Sequence, residues 1–228
     1  MKKILLFLFM LMSIMLPLMA KDNVSGKNKL PNVLIIGDSI SLGYTPFVKK
    51  ILKGKAVVEH NNGNGNAEYT GSGIVMLDKW LGSTKWDVIH FNWGLWDMYG
   101  WRFLKEDRSP AMYKKRLEKL VARLKKTGAV LIWGTTTPAC PDPEVTMLKR
   151  FSTKVVISSA LENEYRESAL QVMKQNNIKI DDLYSLMHPE RKKYALAANN
   201  VHYTLDGYKK LAEQVAESIE TALKERKK

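Results

Sequence analysis

VLIIGDSISLGY, residues 33–44, decides how the chain is read. Val33 to Ile36 is an unbroken apolar run, the pattern of a strand buried on both faces of a parallel sheet. It stops at Gly37-Asp38-Ser39. All three are common turn residues, and an ordinary turn accounts for them. In an open parallel sheet, however, ligands bind beyond the carboxyl ends of the strands. A serine delivered to that edge, where strand meets helix, is also placed to act as a nucleophile.

Outward from this stretch, apolar runs and helical patterns alternate. PFVKKILKG reads as a short helix stopped by Gly54, and AVVEH as a second strand. GSGIVMLDKWLG is helical, with Ile74, Leu77 and Leu81 on one stripe and Gly82 ending it. WDVIHFNW is a third strand. Ser109-Pro110 has the order of an N-cap followed by proline in the first helical position. The helix it opens presents Leu117, Leu120, Val121 and Leu124 on one face and ends at Gly128. AVLIWGTTTP is a fourth strand. ACPDPEVTMLKRFSTK reads as a loop leading to a long helix that runs to about residue 176. NIKIDDLY is a fifth, weaker strand, and LDGYKKLAEQVAESIETALKE a terminal helix. Apolar strands alternating with helices predict an α/β fold of three layers, a parallel sheet of about five strands covered by helices on both faces.

Residues 1–20, MKKILLFLFMLMSIMLPLMA, have the basic start, apolar middle and small final residue of a secretory signal peptide. A retained anchor is the alternative, because Ile4 to Ala20 is long for a signal and short for a span. Residues 21–30 read as a polar linker and 31–228 as a single domain, exported to the periplasm or the medium. Cys140 is the only cysteine, so no intramolecular disulfide forms. The formal charge is +13. The positive residues are spread along helical stretches such as KKRLEKLVARLKK, as on a solvated basic surface. The sequence holds no zinc spacing, no phosphate-binding glycine loop and no nucleic-acid motif. Neither metal, cofactor nor nucleic-acid partner is expected.

A serine attacks an ester only when a base takes its proton, normally a histidine. His90 alternates within an apolar strand and reads as an interior residue. His60 and His188 have no distinctive setting. His202, in NNVHYTLDGY just before the terminal helix, sits where a loop can return over the sheet.

These residues resemble the SGNH (GDSL-type) hydrolase family, serine esterases on a flavodoxin-like sheet. IIGDSI resembles the family's first block, TGSGIVMLDKWL the helix after the second, WDVIHFNWGLWD the third, WGTTTP the segment that follows, and NNVHYTLDGY the last. The similarity runs from about residue 32 to residue 220. It implies Ser39 as nucleophile and His202 as base, with Asp38, Gly94 and Asp97 in supporting positions. The family's backbone oxyanion donor falls at Glu68, where the family usually has glycine, or, with a shift of register, at Gly65 or Ala67. The N–H of Ser39 is the companion donor. The asparagine amide that normally completes the oxyanion hole is replaced by Trp96, with Asn92 as a substitute donor. The aspartate that orients the histidine, three residues before it, is Asn199. Asp182 and Asp206 are carboxylates that could take over, though the first reads as a strand-end residue and the second as the cap of the terminal helix.

The function so implied is an esterase that removes an acyl group, most simply acetyl, from a small or glycan ester. Trp93, Trp96 and Tyr99 are candidates for a sugar-stacking surface. A weakened or inactive carbohydrate-binding protein is the first alternative, and a lipid or thioester hydrolase the second.

Overall fold

In a computed structural model of the chain, residues 29–61, 65–100, 102–139, 146–150, 153–198 and 200–226 are described. Residues 1–20, read as a signal peptide, and most of the expected linker lie outside them.

The expected sheet is present. β1 (Asn32–Ile36), β2 (Val57–His60), β3 (Val88–Phe91), β4 (Val130–Gly134) and β7 (Lys179–Asp181) pair in the order β2-β1-β3-β4-β7. Every pairing is parallel. Val33 to Ile36 are essentially unexposed, as the unbroken apolar run requires. α1 (Ser39–Ile51) and α8 (Leu205–Arg226) pack together on one face of the sheet; α2 (Thr70–Leu81), α4 (Pro110–Lys125) and α5 (Ser159–Gln175) pack in series on the other. The short helices α3 (Leu95–Tyr99), α6 (Leu183–Met187) and α7 (Arg191–Tyr194) lie in the connections. Strand order reverses at β1, so the gap between the carboxyl ends of β1 and β3 is the switch point where such sheets bind ligands.

The first helix starts seven residues earlier than Pro46 suggests. Asp38 caps it, its Oδ1 accepting the Ile40 N–H at 2.9 Å, and Pro46 is carried inside the helix. α4 begins as expected, with the Ser109 hydroxyl accepting the Met112 N–H and Pro110 in the first position. The segment read as one loop contains a hairpin, β5 (Thr146–Arg150) with β6 (Thr153–Ile157), paired antiparallel. Its connecting residues are Phe-Ser in sequence, which lacks the Asn-Gly or Asp-Gly signature of a tight hairpin turn. Asp206 is not the cap of α8. Thr204 precedes the helix and its hydroxyl accepts the Gly207 N–H at 3.3 Å, while Asp206 pairs with Lys209 on the first turn.

Close approach fixes how α8 sits on α1. A Cβ on Gly43 would lie 2.1 Å from the Tyr208 ring. Glycine inside a helix costs about 1 kcal/mol relative to alanine, and here it makes room for that ring. The HYTLDGY stretch thus has a mechanical meaning. Thr204 caps the helix, Gly207 leaves space for Tyr203 and Tyr194, and Tyr208 docks on Gly43. The loop before the helix, with His202, is brought over the end of β1.

Candidate active site

Ser39 is the first residue of α1, at the carboxyl end of β1. The Gly37 N–H donates to Asn61 Oδ1 at 2.9 Å, which holds the strand end, and the Asp38 cap fixes the helix start. Burial pushes the Asp38 carboxyl up to about 6, against the lowering effect of the Ile40 N–H it accepts. Ser39 itself stays half-buried, reachable by a ligand.

His202 Nε2 lies 2.9 Å from Ser39 Oγ. On the other side of the ring, Nδ1 lies 2.9 Å from Asn200 Oδ1, and the same oxygen accepts the His202 main-chain N–H at 3.0 Å. A main-chain N–H can only donate, so the atom it faces is the amide oxygen rather than the amide nitrogen. The ring nitrogen facing that oxygen therefore carries the proton. Nε2 is left with its lone pair toward the serine hydroxyl. An asparagine in this place selects the tautomer that proton abstraction needs.

The family spacing pointed to Asn199, which lies outside the described residues. The partner of Nδ1 that the structure describes is Asn200, two residues before the histidine. The sequence did carry a signal for it: Asn and Asp side chains habitually accept from the main chain two residues on.

The candidate oxyanion donors separate. Glu68 has a φ of 52°, the left-handed conformation that glycine tolerates best, which suits a position where the resemblance leads one to expect glycine. Its side chain is tied down, one oxygen to Arg102 at 2.9 Å and the other to Ser72 at 3.0 Å. Its N–H donates to Asn66 Oδ1 at 2.8 Å, an amide oxygen of the same acceptor type as an ester carbonyl. Ala67 is corrected as a donor: its N–H is committed to Gly37 O at 2.9 Å, inside the fold. Gly65 contributes its carbonyl, to Asn61 Nδ2 at 3.0 Å. Asn92 is corrected too, because its amide nitrogen donates to Gly134 O at 2.7 Å and Thr136 Oγ1 at 3.1 Å, bracing the ends of β3 and β4. Trp96 is half-buried with its ring edge-on to Phe103.

Asp97 is fully buried and supports the site through α2. It accepts the Thr70 N–H and, at 2.6 Å, the Thr70 hydroxyl, anchoring the helix whose own cap residue, Tyr69, offers no side-chain bond. Burial pushes its carboxyl up to about 7 despite those bonds. Gly94, at φ 149°, opens α3, and a Cβ there would lie 2.5 Å from Thr136 Oγ1.

Trp93 and Tyr99 do not form a ligand surface. Trp93 is 1 % exposed and lies against Gly73 and Trp80 in the core, and Tyr99 is 4 % exposed. A strand whose next residues remain buried carries its aromatics inward, and spacing alone cannot distinguish that from a rim. His90 is interior as expected, 2.9 Å from Asp181, which also accepts from Gln214. His60 lies 2.7 Å from Ser41 Oγ, and burial pulls its ring down to about 4. Asp182 caps α6, accepting the Ser185 N–H, and bonds Thr135, so it is the strand-end residue expected of it. Among the described residues, no group of three or more His, Cys, Asp or Glu side chains is placed to hold a metal ion.

Solved structures share this fold. The chain matches a lipase/acylhydrolase from Enterococcus faecalis with a TM-score of 0.65 at 19 % identity, over 83 % of this chain and 95 % of the other. It matches the acetyl xylan esterase AlAXEase with a TM-score of 0.62 at 15 % identity, over 82 % and 99 %. The fold is that of the SGNH hydrolases. Axe2, an acetylxylan esterase from Geobacillus stearothermophilus, matches with a TM-score of 0.64 at 17 % identity over 83 % and 94 %. No protein-family model and no curated protein sequence matches the chain.

Proposed function

We propose that this chain is an exported carboxylic ester hydrolase of the SGNH type that removes acetyl groups from glycans. The observation that carries the reading is the relay from Ser39 Oγ through the His202 ring to Asn200 Oδ1, with both contacts at 2.9 Å. Support for the substrate comes from the names of the fold neighbours, two of which are acetylxylan esterases. Support for export comes from residues 1–20.

In this mechanism Ser39 Oγ attacks the ester carbonyl while His202 Nε2 takes its proton. The carbonyl oxygen becomes an oxyanion, held by the N–H of Ser39 at the α1 terminus and by that of Glu68 once the substrate displaces Asn66. The imidazolium then protonates the leaving sugar oxygen. A water, deprotonated by the same nitrogen, releases acetate and restores the serine. Asn200 holds the ring and its tautomer throughout.

Acetate release from acetylated xylan and other acetylated glycans, beside 4-nitrophenyl acetate, tests the reading with Ser39→Ala as control. Release that depends on Ser39 supports it. A folded protein that releases nothing from any of these, yet is retained on one of the glycans, would establish the binding-protein alternative instead.

A further inference from the structure

Arg191 is 7 % exposed, an unusual place for a guanidinium. Every hydrogen bond described for it goes to a main-chain carbonyl. Nε donates to Pro138 O at 3.4 Å, Nη1 to Ala198 O at 3.3 Å and Nη2 to Asn200 O at 3.2 Å. Pro138 follows the end of β4, whereas Ala198 and Asn200 belong to the loop that presents the base. Main-chain bonds also tie that loop to itself: Leu196 N–H donates to His202 O at 3.0 Å, Asn200 N–H to Ala197 O at 3.0 Å, and Ala195 bridges Tyr203. Beside the His202–Ser39 contact, the planar fork of Arg191 is a side-chain link between the loop and the sheet edge, reaching the end of β4.

We propose that Arg191 is a positioning residue of the esterase site, fixing the Asn200 main chain so that its side-chain oxygen holds the His202 ring toward Ser39. The inference rests on the esterase reading above. A buried charge is expensive unless its donors are satisfied, and well-packed apolar residues serve stability as well or better. What a rigid five-donor fork supplies is geometry. It meets three carbonyls from two segments, and the residue it fixes is the one that fixes the base. A displacement of about 1 Å at such a point is enough to cost roughly 10²-fold in rate. Lysine, with a single point charge on a flexible stem, reproduces at most part of this arrangement.

The test is a double-mutant cycle on the full mature protein, read as kcat and KM for 4-nitrophenyl acetate and as the rate of labelling by a fluorophosphonate. Arg191→Met keeps the stem and removes the donors. In the parent it should lower kcat and the labelling rate by roughly 10- to 100-fold with KM unchanged. In an Asn200→Ala background, where the ring has already lost its acceptor, the same change should cost less than about threefold. Equal losses in the two backgrounds would overturn the proposal, as would an unchanged kcat in the parent. If Arg191→Met does not fold, Arg191→Lys is put through the same cycle and judged by the same two criteria. A parent that neither turns over nor labels counts against the esterase reading, while an active parent with additive losses counts against Arg191 alone.

Discussion

Asn200→Asp separates what the orienting residue does by geometry from what it does by charge. In the Ser-His-Asp template, replacing the aspartate by asparagine lowers turnover about 10⁴-fold because it installs the wrong tautomer. Here the His202 main-chain N–H pins the amide oxygen, at 3.0 Å, and the ring N–H meets that oxygen at 2.9 Å. The tautomer is already correct. A carboxylate would therefore add only its attraction for the imidazolium that forms on proton transfer. Two unit charges about 4 Å apart interact by about 1 kcal/mol in water and about 4 kcal/mol near a protein surface. His202 and Asn200 are half-buried, so about 1.5–3 kcal/mol applies, roughly 10- to 100-fold in kcat. The assay is steady-state hydrolysis of 4-nitrophenyl acetate from pH 5 to 9, with the apparent pKa of the base rising in the variant. A gain of about 10⁴-fold would refute the tautomer reasoning, since it would mean the parent holds the ring the wrong way. No gain, in an active parent, would refute the placement of Asn200.

Three further outcomes follow from the same structure. Gly43→Ala should destabilise the protein by about 1–3 kcal/mol, because its Cβ would meet the Tyr208 ring at 2.1 Å, and should slow turnover by loosening α8 and the His202 loop; a higher melting temperature would contradict this. Trp93→Phe should lower stability by about 1–3 kcal/mol while leaving KM for acetylated oligosaccharides unchanged, since Trp93 is 1 % exposed; a raised KM without loss of stability would restore it to the binding surface. Burial holds the Asp97 carboxyl at about 7 against an ordinary 3.8, so the folded protein retains a proton that the unfolded chain releases, and this group's contribution to stability falls as pH rises through that window. Asp97→Asn should accordingly gain in melting temperature relative to the parent between pH 5 and pH 8, and a difference independent of pH would contradict the assignment.

The legible parts of the sequence were those governed by local physics or by long-range agreement among motifs. Val33 to Ile36 announces a doubly covered strand, Ser109-Pro110 a helix start, and the serine and histidine blocks a common site even though they are far apart in the chain. The misread parts depended on packing. Trp93 and Tyr99 share the polarity of a sugar platform but face the core, Trp93 against Gly73 and Trp80 of α2 and Tyr99 toward the Ala139 carbonyl. The helix start was masked by Pro46, which a cap at Asp38 and a packed face allow inside α1. The hairpin from Thr146 to Ile157 lacks a turn signature. The resemblance puts the orienting residue at Asn199, which lies outside the described residues, whereas the Asn200 side chain reaches the ring through an interaction two residues long that spacing to the family does not reveal.

Labelling of the purified protein with a fluorophosphonate, with the modified residue located by mass spectrometry, tests the activated serine most directly. The expected outcome is a single adduct on Ser39, abolished by Ser39→Ala and strongly slowed by His202→Ala. A folded protein that remains unlabelled, or one labelled equally fast without His202, would contradict it.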